Sequence, residues 1–559
     1  MSTIEPFVIY PARKVITMNR SYPVAEAVAV VGDRILGVGT VDELSRWGEH
    51  TVDNSFANQV ITPGFVEAHS HVMGGGMWQF PYVGYFDRSD PDGRLWAGSK
   101  NIAEVVSSLQ AIEAEMEDPD QPLIAWGLDP IYFDGERMVA SHLDQVSTTR
   151  EIFVYHASGH LATVNTALME AEGITIDTPT PGVARDSSGH PNGELQEPAA
   201  MILAGRCFRT IGQQLRTPAA MWKYAHEARN TGTTTLVDLG TSQLADPVQL
   251  QNWREATSHE DYPARVMVAM SNAFGGQVND PTQLAQLGAD LKAESTDKLH
   301  FGIVKIVLDG SIQGFSARVS WPHYIDAPEG HSGNGLWLIA PDQMADLVTT
   351  YHAAGLTVHC HCNGDEAAEV FIDAVEAALE RHPRWDHRHT VQHCQLTRPA
   401  QYRRMAALGM CANIFSNHMF YWGDQHRDTT VGHERAFGMD ACATAAAEGV
   451  SFSIHSDAPV TPMGHLHTMW CAVNRFTSTG EVLGEHERIS VEQALHAVTL
   501  GAAFQIKLDH EVGSLEAGKR ADFAVLDEDP LEVAPEALKD IGVWGTVVGG
   551  KHFPAGPGD

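Results

Sequence analysis

Basic residues are scarce in this sequence. Its 559 residues include 37 lysines and arginines against 71 aspartates and glutamates, which gives a formal net charge of −34 at pH 7. Proteins that bind nucleic acids or anionic membrane surfaces need clustered positive charge, so the composition argues against both kinds of partner. The sequence instead favours an acidic, soluble protein.

Cysteines and long apolar runs are also lacking. The seven cysteines are an odd number spread over a long chain, which argues against a disulfide framework and favours a reducing compartment. No run approaches the ~20 apolar residues of a membrane span. The N-terminal residues lack the basic and apolar segments of a signal peptide. We therefore expect a cytoplasmic protein, and the symmetry of most oligomers favours a homodimer.

The chain is too long for one ordinary core, so satellite modules are expected. Residues 6–60 show short alternating strands broken by glycine turns, which predicts a small β-module. Regular alternation of apolar strands and helical segments begins near Thr233. The eight predicted strands are 61–72, 233–239, 264–270, 302–308, 356–361, 389–394, 410–415 and 450–456. Eight such strands predict an α/β fold of the (β/α)₈ TIM-barrel type.

The first predicted barrel strand ends in two histidines, His69 and His71, with one residue between them. Side chains alternate faces along a strand, so both imidazoles point the same way and converge. A pair of hydrogen-bonded histidines at a strand end is an equally good interpretation of this motif alone. The strands that follow in the sequence decide between a metal site and a pair of hydrogen-bonded histidines.

Catalytic groups of such barrels lie at the C-terminal ends of the strands. Strand four carries Lys305, strands five and six end at His361 and His393, and strand eight leads into Asp457. Each has a structural alternative: Lys305 could pair with Asp309, the histidines could fill the core, and Asp457 could cap a turn. His359 and His455 share the inward parity of His361 and Asp457, so alternation leaves the ligands open. Five strand ends with metal-compatible side chains together predict a metal centre.

The chain resembles the amidohydrolase superfamily and, within it, the branch typified by N-substituted formamide deformylase. The resemblance spans nearly the whole length. The matching motifs are PGFVEAHSH at 63–71, WGLD at 126–129, HASGHLATVN at 156–165, NGELQEPA at 192–199, KIVLDGS at 305–311, HCNGD at 361–365, QHC at 392–394, HSDAPV at 455–460 and GSLEAGKRADFAVLDEDP at 513–530. The motifs around Lys305, His361 and Asp457 are the more specific ones.

The resemblance implies three domains. Residues 1–61 and 508–559 would form a composite β-sandwich from both termini. Residues 62–75 and 225–507 would form the metal-binding barrel. Residues 76–224, rich in turns and aromatic residues, would form an insertion that covers the active face.

The resemblance also implies the roles of the site residues. His69 and His71 would bind one metal ion, His361 and His393 a second, and Lys305, converted by CO₂ to a carbamate, would bridge them. Asp457 would complete the ligands and carry the proton. His160 and Asn165 match a motif that reaches toward the substrate. Further predicted substrate contacts are Trp78, Gln313, Phe315, Trp321 and Trp422.

This ligand set predicts metal-dependent hydrolysis of a C–N bond, and the resemblance implies that the substrate is an N-substituted amide or formamide. Two divalent ions, Zn²⁺ first with Mn²⁺ or Fe²⁺ as alternatives, would share a water and lower its pKa to give a bridging hydroxide. Asp457 can accept the water proton and return it to the leaving amine. Two departures bear on specificity: Glu67 stands where the family usually has aspartate, and residues 312–317 lack an arginine common there.

Two other functions remain open. The same fold could serve a deaminase or a carbamate, ester or lactone hydrolase, although deaminases of the superfamily usually lack the lysine of strand four. A catalytically silent metal-binding scaffold is an alternative of another class. Such relatives tend to lose ligands, whereas this sequence has each expected one.

Overall fold

The computed structural model describes residues 5–133, 136–159, 161–240, 242–272, 280–327 and 333–556. The chain forms two compact units. The first comprises Met1–His71 and Glu227–Ala555, and the second comprises Val72–His226 and Gly556–Asp559.

Eight parallel strands form the barrel of the first unit. They are β1 (Phe65–Ser70), β2 (Thr233–Leu239), β3 (Arg265–Ser271), β4 (Ile303–Val307), β5 (Thr357–Cys362), β6 (Thr390–His393), β7 (Cys411–Ile414) and β8 (Ser451–Ile454). Each strand pairs with the next one along the chain. Asp457 N donates to His69 O (3.1 Å) and His71 N donates to Ala458 O (2.8 Å), so backbone hydrogen bonds also link β1 to the segment after β8. The predicted TIM-type fold is confirmed.

Helices alternate with the barrel strands. The principal ones are Pro247–Ser258, Pro281–Ala293, Pro341–Ala353, Asp365–Arg381, Pro399–Leu408, His418–Gln425, Cys442–Ala447, His465–Asn474, Val491–Ala497 and Leu500–Gln505. Several begin at a proline that follows a capping residue. Asp280, for example, accepts hydrogen bonds from Thr282 N and Gln283 N in front of Pro281. A carboxylate cap satisfies free backbone amides, and proline at the first helical position loses no hydrogen bond.

Strands from both ends of the chain form one further sheet of the first unit. Its strands are Phe7–Ile16, Val24–Val31, Arg34–Gly39, His50–Val52, Val60–Pro63, Phe523–Leu526, Val543–Val548 and Lys551–Pro554. Val60–Pro63 pairs antiparallel with Phe523–Leu526, which joins the two termini. A buried ion pair ties this sheet to the barrel: Arg265, at the start of β3, donates from Nε (2.6 Å) and Nη2 (3.0 Å) to Asp522.

The second unit has a five-stranded sheet of its own. In spatial order its strands are Val183–Arg185, Pro191–Gln196, Leu161–Val164, Ile152–His156 and Leu123–Leu128. Its longer helices are Ile102–Glu115 and Gly205–Gln214, while Pro218–Asn230 runs across the boundary between the units. Among the residues that the structure describes, no helix has both the length and the apolar character needed to cross a membrane.

Candidate metal centre

His69 at the end of β1 and His71 just after it meet the acid that follows β8. His69 is buried, and its Nε2 lies 3.4 Å from Asp457 Oδ1. His71 Nε2 lies 3.1 Å from the same oxygen. Strand alternation thus brings both imidazoles to one carboxylate, as the sequence predicts. The ligand atoms of these three residues all lie within 4.8 Å of one another, which is close enough for them to share one ion.

Lys305 enters the same cluster from the middle of β4. Its Nζ lies 3.3 Å from His69 Nε2 in a buried position. Burial lowers the pKa of Lys305 to about 8, although the charge of Asp457 opposes the shift. The alternative ion pair with Asp309 does not form, because the Asp309 carboxylate accepts hydrogen bonds from the backbone nitrogens of Arg318, Asn363 and Gly364. Lys305 therefore belongs to the cluster around His69.

His361 and His393 lie at the ends of β5 and β6 with ring centroids 4.4 Å apart. The His361 Nε2 group donates to Gly310 O at 3.1 Å. Asn363 Nδ2 also lies 3.1 Å from this nitrogen, and donation from Nε2 to the carbonyl corresponds to the tautomer with no proton on Nδ1. A ligating histidine commonly donates its other ring N–H to a backbone carbonyl in this way. The His393 ring lies 4.6 Å from that of His69, which connects the two pairs of histidines.

Two site residues have left-handed backbone conformations, with φ of 74° at His393 and 56° at Asp457. His393 is in register with Cys362, whereas Gln392 is in register with the inward-facing His361. Regular alternation would therefore turn His393 outward. The positive φ breaks the alternation, so that both Gln392 and His393 contact the interior cluster. Strained conformations of this kind concentrate at functional sites.

The donor set fits divalent metal ions. Among the described residues, both ring nitrogens of His393 and of His455 are buried without a hydrogen-bond partner, a costly state that a bound ion would relieve. Burial holds the pKa of His69 and of His393 well below the usual value, so both are neutral, which is the ligating form. Imidazole nitrogens with carboxylate oxygen suit Zn²⁺ and related ions.

Asp457 keeps its charge at this site. Burial raises its pKa, but the hydrogen bond from His71 and the charges of His71, His455 and Lys305 outweigh that effect, so the pKa of Asp457 is lowered from its usual value. An ionised carboxylate can both bind a cation and accept a proton.

Some predicted substrate residues gather beside the cluster in the first unit. His418, in the helix after β7, has Nε2 3.3 Å from Gln313 Oε1, and its ring lies 4.7 Å from that of Trp422. Phe315 packs on Tyr324. Trp321 is 83% exposed, so nothing in its surroundings supports the substrate contact predicted for it.

The predicted substrate residues of the second unit have other surroundings. Asn165 is buried, and its amide makes four hydrogen bonds, from Ile152 N and Leu168 N and to Ser147 O and Arg150 O. This amide caps a helix, and the substrate contact predicted for Asn165 stays a prediction. Trp78 packs edge-on against Trp126 with ring centroids 5.0 Å apart. His160 lies outside the described residues.

The sequence interpretation missed two residues and left a third undecided. His455 stacks on His69, with ring centroids 4.5 Å apart and planes 12° from parallel. Its inward parity was visible in the sequence. Gln392 contacts His69 directly, but alternation counted from His393 places it on the wrong face. His418 lies in the helix after β7. Its proximity in sequence to the end of that strand was the one signal that could have identified it.

The chain is similar to known proteins over most of its length. A model of the amidohydrolase family matches residues 57–553. The chain is 27% identical to Protein LONG AFTER FAR-RED 3 of Arabidopsis thaliana over 96% of this chain and 90% of that protein. It is 26% identical to N-substituted formamide deformylase of Arthrobacter pascens over 96% of both.

A solved structure shares the fold. It is that of an uncharacterized metal-dependent hydrolase from Pyrococcus horikoshii OT3, which aligns with a TM-score of 0.69 and 19% identity over 95% of this chain and 99% of that chain. The family match, the relatives and the fold agree, and the chain belongs to the amidohydrolase family of metal-dependent hydrolases.

Proposed function

We propose that this protein hydrolyses the C–N bond of an N-substituted amide or formamide. The observation that carries the proposal is the meeting of His69 Nε2 with Lys305 Nζ (3.3 Å) and Asp457 Oδ1 (3.4 Å). The similarity to N-substituted formamide deformylase over 96% of both chains supports this choice of substrate class.

His69, His71 and Asp457 would hold one divalent ion, and His361 and His393 a second, with Zn²⁺ the first choice. The ions would supply a water of lowered pKa and polarise the scissile carbonyl. A lysine amine offers one nitrogen, whereas its carbamate offers two oxygens. Carboxylated Lys305 would therefore join the two halves of the site: its amine nitrogen bonds to the carbon of CO₂ and releases a proton.

Asp457 would act as the proton carrier. Its Oδ1 lies 3.4 Å from His69 Nε2 and 3.1 Å from His71 Nε2, and its lowered pKa keeps it ionised, which is the form that can accept a proton. The same carboxyl group would return that proton to the departing amine nitrogen.

Aromatic and neutral polar groups would receive the substituent on nitrogen. Gln313 and His418 form a neutral polar pair, and the buried Trp422 and Phe315 supply apolar surface. Such a wall suits an uncharged aryl or alkyl group better than an anionic one.

Metal content and turnover of the purified protein test the proposal together. N-aryl and N-alkyl formamides and amides are incubated with the protein, and release of the amine and the carboxylic acid is quantified. We expect about two ions per chain and a loss of nearly all turnover in Lys305→Ala. Lys292→Ala is the matched control, because this lysine bonds to Gly355 O away from the cluster. Full activity of Lys305→Ala, or ammonia as the nitrogen product, would refute the proposal.

A further inference from the structure

A chain of neutral hydrogen bonds runs from His69 into the barrel interior. His69 Nδ1 lies 2.7 Å from Gln392 Oε1. The same oxygen accepts a hydrogen bond from Asn413 Nδ2 at 2.9 Å. Gln392 Nε2 lies 2.8 Å from His359 Nδ1. All of these side chains are buried.

The register of the strands sets this level of the barrel. Gln392 of β6 is paired with Asn413 of β7, which is paired with Ser453 of β8. Ser453 Oγ donates to Asn413 Oδ1 at 2.8 Å. Lateral neighbours on three adjacent strands are thus hydrogen bonded through their side chains. These hydrogen bonds explain why the inward positions 392, 413 and 453 carry two amides and a hydroxyl instead of apolar side chains.

The Ser453 hydroxyl lies close to two amide oxygens, Asn413 Oδ1 at 2.8 Å and Gln505 Oε1 at 2.6 Å. The nitrogen of the Asn413 amide faces Gln392 and donates to the Gln392 oxygen. An amide oxygen has two acceptor sites, and the second is filled by His69 Nδ1–H. The Gln392 amide nitrogen then donates to His359 Nδ1. With the amides oriented in this way, the proton of His69 lies on Nδ1, facing the Gln392 oxygen.

We propose that Gln392 is a positioning residue that fixes the tautomer of His69. With the proton held on Nδ1, the Nε2 lone pair is directed toward Lys305 and Asp457, where the proposed function places a metal ion. The inference rests on that function and adds the residue that prepares His69 as a ligand. Partners of this kind raise metal affinity by about 10–100-fold.

The contact with His359 allows Gln392→Glu to serve as a second test variant beside Gln392→Met. The neutral ring of His359 can carry the proton on Nδ1 as well as on Nε2. In Gln392→Glu the carboxylate would accept from His69 Nδ1–H and also from a re-protonated His359 Nδ1. An ionised acceptor forms the stronger hydrogen bond. In Gln392→Met both bonds are lost at nearly equal volume.

The test measures zinc retention by the purified holoenzyme against a competing chelator, together with the pH at which half of the zinc is lost. Gln401→Met is the matched control, because Gln401 is another buried amide, bonded to Asp365 O and Glu369 away from the metal ligands. We expect Gln392→Met to bind zinc about 10–100-fold more weakly and to lose it at a higher pH. Gln392→Glu should bind at least as tightly as the wild type, and Gln401→Met should match it.

Equal zinc retention by Gln392→Met and the wild type would overturn the inference while leaving the proposed function intact. Should Gln392→Met fail to fold, Gln392→Glu decides alone: weaker retention than the wild type overturns the inference. A folded wild-type protein that binds no zinc, manganese or iron would instead refute the proposed function. Thermal melting of each variant separates loss of metal from loss of fold.

Discussion

Glu67 of β1 and Ser456, which follows β8, are hydrogen bonded across the closure of the barrel. Glu67 Oε2 lies 2.5 Å from Ser456 Oγ and 3.2 Å from Ser456 N. The other carboxylate oxygen accepts from His69 N at 3.1 Å. One side chain therefore braces the backbone beside His69 and beside Asp457. A glutamate spans this gap where the family usually has the shorter aspartate.

Removal of this brace should destabilise the protein. Glu67→Ala leaves the buried amides of His69 and Ser456 without acceptors, and we expect the free energy of unfolding to fall by roughly 3 kcal/mol. Denaturant titration measures the change. Glu485→Ala, at a side chain that is 77% exposed, is the control and should shift stability by less than about 0.5 kcal/mol. Equal stability of the two variants would show that Glu67 does not brace the closure.

The ion pair of Arg265 and Asp522 should be the costliest to break. Both side chains are 2% exposed, so Asp522→Ala leaves the buried guanidinium with only the more distant carboxylate of Asp297, at 3.8 Å, and should cost about 3 kcal/mol. The residues lie at the N-terminal end of β3, opposite the catalytic end, so turnover per folded molecule should be unchanged. Asp261→Ala breaks the exposed pair with Lys551 and should cost less than about 1 kcal/mol. Similar losses in both variants would contradict this ranking.

Gly240 is predicted to set the position of Lys305. Its φ is 91°, and a Cβ there would lie 2.9 Å from Lys305 Cβ and 3.0 Å from Lys305 Cγ. Gly240→Ala should therefore displace the lysine and lower turnover about tenfold or more. Gly449→Ala is the matched control, because Gly449 has φ of 79° and no atom within 4 Å of the added Cβ. Comparable turnover in the two variants would contradict a specific role of Gly240 in placing Lys305, because any loss would then arise from backbone strain alone.

Three buried histidines away from the metal centre should make the fold sensitive to acid. Val358 N donates to His389 Nδ1 (2.9 Å), His389 donates to His352 Nδ1 (2.8 Å), and His352 donates to His382 O (2.7 Å). His387 accepts from His389 N and donates to Leu408 O. In each neutral ring one nitrogen donates a hydrogen bond and the other accepts one. A proton added to the accepting nitrogen would therefore point at another donor.

The sign of the pH dependence follows from these pKa values. Burial lowers the pKa of His387 to about 4 from 6.5, and the pKa of His352 and of His389 is lowered as well. The unfolded chain then binds more protons than the folded one below 6.5, so stability falls as the pH drops from there toward 4. His387 alone accounts for up to roughly 3 kcal/mol.

Denaturant titrations at about pH 7.5 and about pH 5 test this dependence. The difference between the two should be smaller in His387→Gln than in the wild type. His486→Gln, at a side chain that is 64% exposed, should keep the wild-type difference. An unchanged difference in His387→Gln would assign the acid sensitivity to other groups.

The barrel was predictable because its strands are apolar runs of ordinary length. The expected strand at 264–270 is Arg265–Ser271 in the structure, and the expected strand at 450–456 is Ser451–Ile454. The convergence of His69 with Lys305 and Asp457 followed from one rule, that strand ends meet at one face of the barrel. The TIM-type fold was confirmed, whereas the identity of the metal ligands remains a prediction.

Contacts inside the barrel were not predictable from the sequence. Gln392 meets His69 although 323 positions separate them, and only the register of all the intervening strands decides such a contact. The positive φ of His393 reverses the alternation on which face assignments rest. The four hydrogen bonds of the Asn165 amide were also not visible in the motif that suggested a substrate contact.

The most direct test of the metal centre is anomalous X-ray diffraction from crystals of the zinc-loaded protein. The account predicts two anomalous peaks, one about 2.0–2.2 Å from ligand atoms of His69, His71 and Asp457, and one equally close to His361 and His393. Continuous density should extend from Lys305 Nζ between the two peaks. A single peak remote from Lys305, or zinc bound only outside this cluster, would contradict the account.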